Sequence, residues 1–250
     1  MGLPGNISAC LFDLDGVLTG TAVLHRKAWK QTFDDFLRRR DGEGFAPFTD
    51  EDYLDYVDGR PRADGVRAFL RSRKIALPDG SADDPPSDDT VNGVGNRKNE
   101  LLLKVIEKEG VSPYPGSVKY IQAAYEHGLK IAVVTSSANG KSVLDAADLS
   151  RYVHIRIDGV VITDRGLRGK PAPDSFLAGA EALAVPPEDA AVFEDALSGV
   201  EAGRAGKFGY VVGVDRVNHG DALREHGADI VVTDLADLLS GTYEAGVHGR

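Results

Sequence analysis

A single cysteine, Cys10, excludes an internal disulfide and any thiolate metal cluster from this 250-residue chain. It falls inside an apolar run, where a buried structural thiol is expected rather than a reactive one. There is no long block of Lys or Arg, and the formal net charge is −10. An acidic surface repels phosphate backbones and anionic headgroups, which argues against nucleic acid and membrane as partners. A small anion still fits a locally positive cleft. No apolar run is long enough to span a bilayer, and Met1 to Ser8 lack a basic region leading into an apolar stretch. The expectation is therefore a cytoplasmic protein. The hydrophobic content of 42% and charged content of 27% are those of an ordinary globular chain, long enough for one α/β domain with a smaller insert.

Short apolar runs recur at Ile7–Phe12, Ile131–Val134, Ala190–Phe193, Tyr210–Val214 and Ile230–Val232, each the length of a buried strand. Helical patterns lie between them. Ser117–His127 stops at Gly128, Leu223–His226 stops at Gly227, and Asp174 is placed to cap Ser175–Leu183. This alternation predicts a parallel sheet covered on both faces. The segment from about Thr19 to Ser112 breaks the rhythm. Trp29, Phe33, Phe36 and Leu37 follow helical spacing, as do Val66, Phe69 and Leu70, and then Leu101, Leu102, Val105 and Ile106. Thr49 with Asp52 has the spacing of a capping box. Pro78–Asp89, rich in Pro, Asp, Gly and Ser, reads as a surface loop. Ser240–Arg250 reads as a frayed tail.

Chemistry-bearing residues gather at the ends of the predicted strands, where open parallel sheets bind ligands. Asp13 and Asp15 end the first strand, and Gly16 lets the chain turn away. Taken alone, such a pair is as readily structural as functional. Thr135, Ser136 and Ser137 end the second with hydroxyls and amides suited to a phosphate, although such a run is commonly a helix cap. Lys170 stands in Gly169-Lys170-Pro171, where proline stiffens the backbone around a positive charge. Glu194 and Asp195 end a further strand.

Four such features in this order resemble the haloacid dehalogenase superfamily of phosphotransferases. The resemblance implies a Rossmann-like parallel sheet core of residues 1–19 and 113–250, an inserted helical cap of residues 20–112, and Mg²⁺ as cofactor. It implies Asp13 as a nucleophile that becomes phosphorylated and Asp15 as general acid/base. Thr135 and Lys170 would hold and neutralise the phosphoryl group. Asp13, the Asp15 carbonyl, Asp195 and an assisting Glu194 would form the metal site. The residue types suit the task, because a carboxylate attacking an anionic phosphate needs cations to offset the repulsion.

The insert is most similar to the β-phosphoglucomutase-like subfamily. Thr21, His25, Arg62 and Lys98 match its substrate-binding cap residues, and Ser136, Ser137 and Asn139 its substrate loop. Ala138 stands where that subfamily has a lysine, and Ser136 where it has an alanine. The resemblance implies a monomer that converts β-glucose 1-phosphate to glucose 6-phosphate through a bisphosphate. A sugar-phosphate phosphatase on the same core is the alternative. A catalytically silent binding protein is the remote one, since no nucleophile, acid/base or metal ligand is missing.

Overall fold

In a computed structural model, residues 1–239 are described, so the tail Ser240–Arg250 lies outside the described residues. The chain divides into two compact units, Met1–Gly20 with Ser112–Arg250 and the inserted Thr21–Val111. The first unit carries six parallel strands: β1 (Ala9–Phe12), β2 (Lys130–Val134), β3 (Ile155–Ile157), β4 (Ala190–Glu194), β5 (Tyr210–Val214) and β6 (Ile230–Val232). Their order across the sheet is β3-β2-β1-β4-β5-β6. β1 lies in the middle, pairing with β2 through Phe12↔Val133 and with β4 through Phe12↔Phe193. β1 is therefore buried on both faces and reads as a continuous apolar run rather than an alternating one. β3 was not anticipated, because Ile155-Arg156-Ile157 is too short and too polar to stand out as an apolar run.

The insert contains α1 (Thr21–Asp41), α2 (Asp50–Asp52), α3 (Arg62–Ser72) and α4 (Val91–Glu109), with a π-helical stretch, Tyr53–Val57, following α2. The spacing expected for α1 and α3 becomes an aromatic core. Phe33 stacks on Trp29 at 5.1 Å and meets Phe48 at 5.1 Å and Phe69 at 4.2 Å. Val66, Leu70, Val91 and Val94 close the cluster. The capping box forms as its spacing requires: Thr49 accepts from the Asp52 amide, and the Asp52 carboxylate accepts from the Thr49 amide. Pro78–Asp89 is largely exposed, yet it is pinned to the start of α4. The Asn92 amide donates to Asp79 O at 3.0 Å, Asn96 to Ala82 O and Asp84 O at 2.9 and 2.8 Å, and Arg97 to Pro86 O at 2.7 Å. Side chains one helical turn apart thus satisfy the carbonyls of a loop that lacks regular structure.

Around the sheet run α5 (Pro115–Glu126), α6 (Gly140–Ala146), α7 (Gly159–Asp164), α8 (Asp174–Ala182), α9 (Leu197–Ala205) and α10 (Gly220–Glu225). α8 and α9 join the apolar cluster built on Leu11, Val134 and Val192, through Phe176, Ala178 and Ala202. Elsewhere, Tyr120 of α5 meets Phe12 at 6.2 Å and Phe193 at 5.3 Å. The expected Asp174 cap is corrected. Asp174 is the first residue of α8 and caps nothing, because Arg168 occupies its carboxylate through the backbone amide, Nε and Nη2.

β5 ends in a tight turn built on Asp215, whose carboxylate accepts from the amides of Val217, His219 and Gly220 at 3.2, 3.0 and 2.9 Å. Burial opposes ionisation, but the amide donors prevail and hold the Asp215 carboxyl below the usual carboxylate range. Such a depressed value contributes stability that is fully present above the unfolded-state pKa of about 3.9 and is lost as pH falls through the folded-state value. Asp215→Asn should therefore unfold at lower urea than wild type near pH 7. The gap should narrow below about pH 4, and a gap of constant size from neutral to acid pH would contradict this account. In the insert, Phe33→Ala removes the centre of the aromatic cluster and should cost about 3–5 kcal/mol by denaturant titration. A loss under about 1 kcal/mol would mean that the cluster collapses to fill the space.

Candidate active site

β1 and β4 are neighbours, so their carboxyl ends deliver Asp13, Glu194 and Asp195 to one place. The Lys170 ammonium lies between two of these carboxylates, 2.6 Å from Asp13 Oδ1 and 2.6 Å from Glu194 Oε1, and donates its third hydrogen to Val134 O at 3.2 Å. All three N–H groups of the ammonium are thereby used. It also stands 4.8 Å from the Phe176 ring centroid. Both charged partners are almost completely out of water. Burial by itself would lower the Lys170 pKa, but Asp13 and Glu194 raise it above the usual lysine value, so it stays a cation. The Asp13 pKa is raised as well. Burial raises its pKa against the pull of Lys170, and the neighbouring Glu194 and Asp15 carboxylates raise it further.

Asp15 follows Asp13 past the strand end and accepts from Thr135 Oγ1 at 3.1 Å. The Thr135 hydroxyl in turn accepts from the Ser137 amide at 3.1 Å, and Ser137 Oγ accepts from the Asn139 amide at 3.2 Å. The β2 end is therefore a compact turn of interlocked hydroxyls and amides rather than a helix cap. Gly16 adopts φ +101°, and a Cβ there would collide with the Asp195 carboxylate. Only glycine combines this backbone conformation with the close approach of the acid. Gly199 plays a related part in α9, where a Cβ would collide with Glu194.

The sheet unit thus brings together Asp13, Asp15, Thr135, Ser136, Ser137, Asn139, Lys170, Glu194 and Asp195. Among its described residues, the acids of this cluster outnumber the Lys170 ammonium. That imbalance, with a raised Asp13 pKa and an all-oxygen donor set, is the chemistry that accommodates a hard divalent cation. Among the described residues no group of three His, Cys, Asp or Glu side chains closes around a metal. Both oxygens of Glu194 are already used, Oε1 by Lys170 and Oε2 by the Ala196 amide at 2.8 Å.

The other residues singled out from sequence, Thr21, His25, Arg62 and Lys98, all belong to the insert. Lys98 is 4% exposed, not on a solvated face. Its ammonium lies 3.0 Å from His25 Nδ1 and 4.9 Å from the Trp29 ring centroid. Thr21 is the buried first residue of α1, one turn before His25. Arg62 opens α3 beside Gly95, where a Cβ would stand 3.1 Å from Arg62 Cγ. Burial lowers the pKa of its guanidinium. Arg62 thus packs against α4 one turn before Lys98. Sequence reading missed the turn after β5, where Arg216 donates to Gly16 O at 2.8 Å and His219 Nε2 lies 3.0 Å from Asp195 O. Their position just beyond a strand end was the available signal, but no spacing links them to Asp13 or Asp195.

The haloacid dehalogenase-like hydrolase family matches residues 7–207. A β-phosphoglucomutase of Mycobacterium tuberculosis is 55% identical over 246 residues, covering 96% of this chain and 94% of that protein. A phosphorylated carbohydrates phosphatase of Thermotoga maritima is 28% identical over 229 residues, covering 90% and 94%. The crystal structure of a β-phosphoglucomutase from Clostridium difficile shares the fold, with a TM-score of 0.73 at 24% identity over 93% of each chain. No helix among the described residues is long and apolar enough to cross a membrane. A family match over most of the chain and a full-length relative at 55% identity lead to one assignment. The chain is an enzyme that transfers or hydrolyses phosphoryl groups of small phosphorylated molecules, and it belongs to the haloacid dehalogenase superfamily, in its β-phosphoglucomutase-like subfamily.

Proposed function

We propose that the protein interconverts β-glucose 1-phosphate and glucose 6-phosphate, with Asp13 carrying the phosphoryl group between them. The observation that carries the phosphoryl chemistry is the Asp13 carboxylate held through Oδ1 by a buried ammonium. With Oδ1 so engaged, Oδ2 is the oxygen that attacks phosphorus. Its bond to phosphorus forms as the bond from phosphorus to the leaving sugar oxygen breaks. Asp15 supplies the proton to that oxygen and later withdraws one from the accepting hydroxyl. Thr135 donates to the Asp15 carboxylate at 3.1 Å and so orients the group that carries that proton. Lys170 offsets the charge of the phosphoryl oxygens.

Asp13, the Asp15 carbonyl and Asp195 are the groups that would hold Mg²⁺, which when bound neutralises and orients the phosphoryl oxygens. In this reading Glu194 serves chiefly by holding Lys170, since Lys170 and the Ala196 amide occupy its two oxygens.

In the mutase cycle, phosphorylated Asp13 gives its phosphoryl group to the 6-hydroxyl of β-glucose 1-phosphate. The resulting bisphosphate turns round and returns its 1-phosphoryl group to Asp13, releasing glucose 6-phosphate. We assign Arg62 to the distal phosphate, whose oxygens match the guanidinium fork. Thr21, His25, Lys98, Ser136, Ser137 and Asn139 are assigned to the sugar and its phosphates. The 55% identity to the mycobacterial β-phosphoglucomutase supports the choice of sugar. This reading carries with it a monomeric, cytoplasmic protein that binds neither nucleic acid nor membrane.

The second reading is a sugar-phosphate phosphatase, favoured by the similarity to the Thermotoga phosphatase. There water replaces the sugar hydroxyl as acceptor from Asp13, a choice set by how well the reacting groups are kept from water. Phosphorus NMR of the protein with β-glucose 1-phosphate, Mg²⁺ and a trace of glucose 1,6-bisphosphate separates the two. The expected outcome is glucose 6-phosphate without accumulating free phosphate, whereas steady phosphate release would make the enzyme a phosphatase. Arg62→Ala should reduce isomerisation by about 10²-fold or more, the scale on which a misplaced substrate loses rate. Unchanged turnover would remove Arg62 from the substrate site.

A further inference from the structure

The peptide joining Asp15 to Gly16 is trans, and its N–H donates to Thr19 O at 2.8 Å. In a planar trans peptide the carbonyl points opposite to the N–H, so the Asp15 carbonyl is directed away from Thr19. The next two carbonyls, Gly16 O and Val17 O, are both taken by Arg216. Its Nε donates to Gly16 O at 2.8 Å and its Nη2 reaches Val17 O at 3.4 Å. Ser117 Oγ donates to Val17 O at 2.6 Å from the start of α5. Arg216 is held on its other sides as well. Nη1 donates to Thr233 O at 2.7 Å, and the guanidinium lies 3.8 Å from the Tyr114 ring centroid. A planar, permanently charged fork stacked on an aromatic face loses little freedom when it binds several carbonyls at once, which a lysine cannot match.

The same turn holds the other acid loop. His219 Nε2 lies 3.0 Å from Asp195 O. A carbonyl only accepts, so Nε2 carries the proton there. Asp215 fixes the turn by binding the amides of Val217, His219 and Gly220. One short segment after β5 therefore holds the backbone beside Asp15 and the backbone of Asp195.

We infer that Arg216 is a positioning residue for the metal site: by holding Gly16 O and Val17 O it fixes the backbone that carries the Asp15 carbonyl, the group that would hold the ion. This rests on the assignment of that carbonyl to Mg²⁺ under Proposed function. Arg216 bonds backbone carbonyls, and its effect passes through the backbone it holds.

The test is isothermal titration of metal-free protein with Mg²⁺, alongside thermal unfolding without metal. It compares wild type, Arg216→Met, Arg216→Lys and Arg224→Met. Arg224 carries its charge on the neighbouring α10, paired with Asp221 and largely exposed, and so controls for loss of a cation. Arg216→Met should weaken Mg²⁺ binding roughly tenfold or more, the scale found for groups that orient metal ligands. Arg216→Lys should fall between it and wild type, and Arg224→Met should bind as wild type does. Unchanged Mg²⁺ affinity in Arg216→Met with a lowered melting temperature would show a merely structural residue and overturn the inference. If Arg216→Met does not fold, Arg216→Lys decides, and wild-type affinity there overturns the inference equally. A wild type that binds no Mg²⁺ would overturn the metal assignment itself, and it is distinguishable because all four proteins would fail alike.

Discussion

The candidate active site depends on one buried ammonium. Lys170 holds Asp13 and Glu194 at 2.6 Å each, with both pairs almost entirely shielded from water. Removing water from three charges is costly, and it is offset only where each charge finds close partners of opposite sign and good geometry. Here the ammonium satisfies all its donors, and Glu194 spends its second oxygen on the Ala196 amide. Taking away one member would leave the others buried without compensation, a loss on the order of 3–5 kcal/mol. The β1 and β4 ends and the Lys170 loop are therefore locked together by electrostatics as well as by the sheet.

The sheet makes this lock possible. β1 pairs with β2 on one side and β4 on the other. The strand carrying Asp13 consequently has as neighbours the strand leading to Thr135 and the strand ending in Glu194. Because all run parallel, their carboxyl ends open on the same edge. The insert leaves the chain between β1 and β2, where Thr19 and Pro113 bridge and the Gly20 amide donates to Ser112 O at 2.9 Å. The sheet unit thus closes its own backbone across the point of departure. The insert in turn has an aromatic core of its own around Phe33 and Phe69.

Charge is handled differently in the two units. In the sheet unit, acids outnumber the ammonium that joins them, and burial with the neighbouring carboxylates raises the Asp13 pKa against the pull of Lys170. In the insert, Lys98 is buried against His25 and the Trp29 ring. The aromatic face gives a buried cation some compensation that a saturated side chain would not.

The sequence by itself determined the local patterns. Short apolar runs alternating with helices specified the parallel sheet. Helical spacing at Trp29, Phe33, Phe36 and Leu37 specified the inserted bundle. Asp13, Asp15, Thr135, Lys170, Glu194 and Asp195 were legible because each ends an apolar run or follows a recognisable turn. Tertiary structure decided the rest. β3 is a strand because β2 pairs with it, although its own three residues carry little signal. Asp174 has the right position for a cap, but Arg168 takes its carboxylate. The Pro78–Asp89 loop owes its order to Asn92, Asn96 and Arg97, beyond its own ends. Arg216 finds its partners at Gly16 and Val17, about two hundred residues away along the chain. Periodicity and capping are readable because their partners lie within a few residues, whereas a hydrogen bond across the sheet edge exists only once the strands have paired.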